Sequence, residues 1–170
     1  SNPLGRAFLP DCSYREMTEW ALPVEQHAAY DSITHELQND SRWPVLSRFI
    51  RGGTWRNFRV RYNEANEMYC RMLEVSRNVD AARKQGADPT LLPQIEDHLY
   101  RGQCNCPYWH GAFGGIYLPH LRNATYREFI AADNLLERAN GRQGKWIHAI
   151  TEDFDKDTYP EVRLSNDHFI

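Results

Sequence analysis

The chain has 170 residues, 41% of them hydrophobic and 12% aromatic, enough to build a core without disulfide staples. Its 20 basic and 23 acidic side chains leave a net charge of -3, and no Lys/Arg block is long enough to follow a phosphate backbone, which argues against nucleic acid as a partner. No run approaches the roughly 20 apolar residues that span a bilayer, SNPLGRAFLP carries no export signal, and Cys12, Cys70, Cys104 and Cys106 are too few for a secreted disulfide framework, so a soluble cytoplasmic chain with no membrane partner is expected.

Residues 13–38 read as helix in two pieces. Ser13 and Glu16 have the spacing of a capping box, Pro23 interrupts the run, and Asn39-Asp40-Ser41 closes it. The clearest helix spans Asn63 to Lys84, where Ala65, Met68, Met72, Val75, Val79 and Ala82 recur at spacings of three and four. A Gly86-Ala-Asp-Pro89 turn separates it from a third helix, Leu91 to Arg101, whose stripe is Leu92, Ile95 and Leu99 and which Gly102 is placed to stop. Leu118 to Arg138 reads as a fourth. Thr125 and Glu128 could cap a helix there, but Leu118, Leu121, Thr125, Phe129, Ala132 and Leu136 keep one face throughout, which favours continuity.

From Asn140 the character changes. GRQGKW is a connection, DFDKDTYPE is acidic turn material and EVRLSN alternates as a strand does. The expected fold is therefore mainly α, an antiparallel bundle of about four helices over residues 1–139, with a short β-rich extension over 140–170.

Three constellations could carry chemistry. In RGQCNCPYWHGAFGGIYLPH, residues 101–120, Cys104, Cys106 and His110 offer soft ligands in a C-x-C-x3-H spacing, but a structural zinc site needs a fourth ligand and pairs its cysteines two to four residues apart. Half-buried thiols without a metal are the simpler reading. Tyr108, Trp109 and His110 suit a recognition edge, because sugars lay patches of C–H against aromatic faces while imidazole and phenol groups meet their hydroxyls. The same aromatics could equally be core residues beside a tight turn. In RGGTWRNFRVRYNEANEMY, residues 51–69, Gly52-Gly53 permits an unusual backbone, Trp55 and Phe58 are anchors, and Asn57, Glu64 and Asn66 offer hydrogen bonds near the start of the long helix. Finally, Asp153, Asp155, Asp157 and Glu161, with the carbonyl of Tyr159, imitate a calcium loop. Thr158 stands where glycine usually allows the bend and Leu164 replaces the final acid, so a solvated acidic turn is the other reading.

The run RGQCNCPYWHGAFGGIYLPHLRNATYREFI resembles the last conserved region of the family-57 glycoside hydrolases, in the branch of 4-α-glucanotransferases and related α-amylases. LPDCSYREMTEWALP and RGGTWRNFRVRYNEAN are similar to two further stretches of that branch, in the same order, and KWIHAITEDFDKDTYPEVRLSND resembles its entry into a C-terminal β-sandwich. The resemblance implies a retaining enzyme acting on α-1,4-glucans through two carboxylates about 5 Å apart. In the family these lie on an N-terminal distorted barrel whose motifs have no match here, so none of the 23 acids inherits a catalytic role. What it implies for this chain is the helical region beside the barrel mouth, with Trp109, and after it Tyr108 and His110, near bound sugar. No cofactor is required on that reading. The expected partners are an α-glucan or maltooligosaccharide and the barrel and sandwich of a full enzyme, with self-association through faces that would otherwise meet them. A non-catalytic carbohydrate-binding or interaction module is the alternative.

Overall fold

The computed structural model describes residue 5 and residues 15–109, 114–142 and 144–169. Among them are seven α-helices and one two-stranded antiparallel sheet, so the chain is mainly α with a short β part at its C-terminal end. It divides into two compact units, residues 1–63 and 64–170. No helix among the described residues is long and apolar enough to cross a membrane.

The first unit contains α1 (Arg15–Trp20), α2 (Val24–Leu37), α3 (Trp43–Leu46) and α4 (Trp55–Arg61). Pro23 is the N-cap of α2, at φ -57 and ψ 153; its ring pushes the preceding residue out of the helical region and so separates α1 from α2. Ser13 lies outside the described residues. Asp40 then accepts from the Arg42 backbone N–H at 2.8 Å and from its guanidinium at 2.8 Å, and these bonds hold the carboxyl down to about 2.

Neither α3 nor α4 has enough residues to show a helical period, which is why the sequence pattern misses both. Gly52-Gly53 works differently from expectation. Neither residue has a positive φ; the demand is for space, because a Cβ on Gly52 would meet the carbonyl of Thr18, whose carbon would lie 2.8 Å away, and the Gly53 N–H donates to that oxygen at 2.6 Å. At the head of α4, Asn57 Oδ1 accepts from the Thr54 N–H at 2.9 Å and from its hydroxyl at 2.8 Å. Phe58 is fully buried, with the ring of Trp55 at 5.6 Å and that of Tyr62 at 4.5 Å. Arg61 donates to the carbonyls of Trp20 and Leu22, satisfying acceptors that the end of α1 leaves open.

The second unit is built on α5 (Asn63–Lys84), α6 (Leu92–Gly102) and α7 (Pro119–Ala139). On α5 the expected stripe is inside, with Ala65, Met68, Val75, Val79 and Ala82 buried and Met72 half-buried. Glu74 is also buried, which no apolar period foretells. Gly86 ends the helix at φ +75, with the Ala87 N–H reaching back to Ala82 O at 3.0 Å, the bond of a Schellman cap. Gly102 does something else. It is the buried last residue of α6, its φ is not positive, and a Cβ there would lie within 2.9 Å of three ring atoms of Phe129 on α7. Its smallness therefore sets how closely α6 and α7 approach.

α7 runs unbroken. Thr125 is buried in its middle and its hydroxyl donates to Leu121 O at 3.1 Å, so it bonds its own helix rather than capping a new one. The side-chain pairs fix the directions. Arg83 meets Glu96 at 2.7 Å and Gln103 meets Met72 at 3.7 Å, so α6 runs against α5; Arg122 meets Glu64 and Asp133 meets Arg71, so α7 runs with α5. After Gly141, at φ +75, the chain forms β1 (Ile147–Glu152) and β2 (Glu161–Asn166), paired from Ile147 with Asn166 to Glu152 with Glu161. EVRLSN is thus a strand, and IHAITE is its partner.

Candidate functional site

Between α6 and α7 the chain makes two 3-10 turns, Cys106–Tyr108 and Gly115–Tyr117. Tyr108 is buried and its hydroxyl donates to the carbonyl of Gly102 at 2.8 Å; that burial raises its pKa well above the ordinary phenol value. Trp109 is half-buried. Its indole N–H donates to Asn105 Oδ1, and its carbonyl accepts from the Ile116 N–H at 2.7 Å. The two glycines opposite are required here. Gly114 and Gly115 sit at φ +93 and +40, and a Cβ on Gly115 would run into the Trp109 carbonyl, whose carbon would be 2.7 Å away. Arg122 closes the turn by donating to the Ile116 carbonyl while pairing with Glu64. Trp109 is thereby fixed from its backbone and its ring nitrogen, and a fixed aromatic face loses little entropy on meeting a ligand.

His110 lies outside the described residues. Cys104 and Cys106 are exposed and not disulfide-bonded, where half-buried thiols are the sequence expectation. Of the three sugar-facing candidates, then, Trp109 is half-buried and Tyr108 braces the loop against α6.

The hairpin loop carries the second site. One oxygen from each of Asp153, Asp155, Asp157 and Glu161 falls within 4.8 Å of the others. The loop's own N–H groups aim the carboxylates: Asp157 N donates to Asp153 Oδ1 at 3.0 Å and to Asp155 Oδ1 at 3.1 Å, Tyr159 N to Asp157 Oδ1 at 2.8 Å, and Phe154 N to Glu161 Oε2 at 2.8 Å. Lys156 and Thr158 adopt φ 66 and 81, so the bend that glycine would give is made by residues with a Cβ, at a cost of order 1 kcal/mol each. Four carboxylates around one point are chemically suited to a hard divalent cation. The Tyr159 side chain is 72% exposed, which leaves its carbonyl as its contribution on the calcium reading.

This loop is gripped from α5, through residues the sequence pattern does not single out as a set. Asn66 Nδ2 donates to the carbonyl of Asp155 at 2.9 Å and the Cys70 thiol to the same oxygen at 3.3 Å. One turn further, Glu74 takes Arg71 at 2.6 Å with one oxygen and Arg163 of β2 with the other, while Arg71 also pairs with Asp133 of α7. Two guanidiniums and two carboxylates thus neutralise one another in a largely, though not fully, buried network. Burial pushes the Asp133 carboxyl above its ordinary value while Arg71 pulls it back. Arg163 also lies over the Phe154 ring at 4.8 Å, but its buried Nε has no partner. Beside this network is an open groove of about 870 Å³, lined among others by Ile130, Val162, Leu164 and Phe169, which are 49%, 65%, 65% and 75% exposed.

The helical unit thus carries a glycine-locked tryptophan between its last two helices and leads into a two-stranded hairpin. Residues 53–136 match the family described as alpha-amylase/4-alpha-glucanotransferase, middle domain, in keeping with the resemblance of the chain to the family-57 glycoside hydrolases. It is 36% identical over 167 residues to alpha-amylase 1 of Dictyoglomus thermophilum, and 40% identical over 171 residues to an alpha-amylase of Pyrococcus abyssi. To a 4-alpha-glucanotransferase of Thermococcus litoralis it is 38% identical over 168 residues, 99% of this chain and 23% of that protein. The crystal structure of the 4-alpha-glucanotransferase from that organism matches 94% of this chain and 22% of its own, with a TM-score of 0.67 and 35% identity. The chain spans about a quarter of the length of the relatives it matches (23% of Dictyoglomus alpha-amylase 1).

Proposed function

We propose that this chain is the helical part of a retaining α-1,4-glucan-acting enzyme, a 4-α-glucanotransferase or α-amylase, and forms one wall of its substrate cleft. The observation that carries the reading is the alignment of 98% of the chain with 23% of enzymes so named. Trp109 supplies the sugar-stacking face, with Tyr108 and His110 beside it. The nucleophile and acid/base belong to a catalytic barrel outside these residues, so the chain alone turns over no maltooligosaccharide. Its exposed thiols suit a reducing cytoplasm. The apolar residues around the groove suit partners in the full enzyme or a second copy of the chain.

Maltoheptaose titrated calorimetrically into the chain tests this. Binding weakened at least tenfold in Trp109→Ala supports a sugar-facing tryptophan, and release of glucose or shorter oligosaccharides from the pure chain refutes the assignment of catalysis elsewhere. Strong binding by the chain alone would instead favour a non-catalytic carbohydrate-binding module.

At the hairpin we propose calcium, held by Asp153, Asp155, Asp157, Glu161 and the Tyr159 carbonyl. The reading is supported by convergence of the four carboxylates on one point. Calcium should raise the thermal midpoint of the chain and leave that of Asp155→Asn less changed; equal midpoints with and without calcium return the loop to a solvated turn.

A further inference from the structure

The first unit contains a cluster that the glucan reading does not use. Glu19 on α1 and His27 and Asp31 on α2 bring one ligand atom each to within 4.8 Å of the others. His27 and Asp31 are one turn apart, so both leave the same face of α2, and Pro23 sets the corner that returns this face to α1. Glu19 is largely buried, at 16% side-chain exposure, whereas His27 and Asp31 are 37% and 50% exposed.

The spacing distinguishes two chemistries. His27 Nδ1 and Asp31 Oδ2 are 3.6 Å apart, longer than the 2.7–3.2 Å of an N–H···O bond. It is close to the edge of a metal tetrahedron, since two bonds of about 2.1 Å at the tetrahedral angle place their donor atoms about 3.4 Å apart. A ring nitrogen with two carboxylates is also the wrong donor set for calcium or magnesium, which take oxygen alone, and the right one for zinc, nickel or cobalt. Arg15 meets Glu19 Oε1 at 2.5 Å, and a carboxylate has a second oxygen to offer.

We infer that Glu19, His27 and Asp31 bind a borderline divalent cation of the zinc class, with water completing the tetrahedron. Such an ion staples α1, a helix of 6 residues, to the first turns of α2. Short helices are unstable in isolation, so a bond tying the Glu19 carboxylate to α2 adds to the stability of α1. The site is independent of the sugar-facing loop and of the acidic hairpin.

The test uses the full chain, freed of metal with chelator and titrated with cobalt(II) and zinc(II). Expected is about one equivalent of cobalt giving visible d–d absorption without thiolate charge transfer, displaced by zinc, and a rise in thermal midpoint with zinc. His27→Ala should lose the equivalent and the rise, and Asp31→Asn should weaken binding at least tenfold. His27→Gln, which keeps the polar surface of this half-exposed position, guards against misfolding. The same equivalent bound by both His27 variants, a thiolate band in the wild-type spectrum, or no cobalt bound to the folded wild-type chain would each overturn the inference.

Discussion

Changing Glu74 to Gln keeps the shape of the side chain and removes one charge. In the wild type, Arg71 and Arg163 are balanced by Glu74 and Asp133, with side-chain exposures of 17%, 22%, 9% and 9%. After the change two guanidiniums share one carboxylate, and Arg163, whose Nε already has no partner, is the one left uncompensated. Breaking a fully buried pair costs about 3–5 kcal/mol; the partial exposure of Arg163 brings the expected loss nearer 2–3 kcal/mol. For a chain of this size that corresponds to a fall of roughly 5–10 °C in the thermal midpoint. Circular dichroism measures it, and hydrogen exchange should show that the amides of β2 lose protection first. The matched variant Glu74→Leu with Arg163→Met removes one charge of each sign, leaves the Arg71–Asp133 pair intact, and should recover most of the loss. A Glu74→Gln protein within 0.5 kcal/mol of wild type, or a paired variant no better than the single one, would refute the view that charge balance holds the hairpin.

Gly102→Ala gains about 1 kcal/mol of helix propensity but drives a methyl group into the Phe129 ring, so it should destabilise by 1–2 kcal/mol net; adding Phe129→Leu should relieve part of this, and additive losses in urea denaturation would contradict the packing account. Asp88 accepts from the Thr90 N–H at 2.8 Å and hydroxyl at 2.7 Å, bonds that lower its pKa from 3.8. A depressed carboxylate contributes stability above its unfolded value that disappears as pH falls through its folded value, so the advantage of wild type over Asp88→Asn should shrink below about pH 3.8, and a constant difference across an acid titration would be the contrary result.

The long helices were legible because α5 and α7 repeat apolar residues over several turns, and the one boundary in doubt, at Thr125, is settled by a hydroxyl bonding back to Leu121. α3 and α4 are too short for a period to show. Glycines divide in the same way: Gly86 ends a helix, as a left-handed residue after it should, whereas Gly52 and Gly102 are dictated by Thr18 and Phe129, neighbours that only the folded chain brings close. Trp109 could be named from its motif, yet its fixing depends on Asn105, Ile116 and Gly115 acting together. The hold on the hairpin was out of reach, because Glu74 and Arg163 are 89 positions apart and a lone acid on an apolar face gives no hint of its partner.

Asn66, Cys70 and Glu74 stand four apart on α5, and all three reach the hairpin, two at its tip and one at its second strand. The helix therefore works as a ruler: its 1.5 Å rise per residue sets where along β2 each grip falls. A substitution at one of these positions loosens a single grip, but one residue inserted between Asn66 and Glu74 would turn everything beyond it by about 100° and leave the tip and the strand calling for different faces of the same rod. The length of this stretch is thus constrained more tightly than its composition.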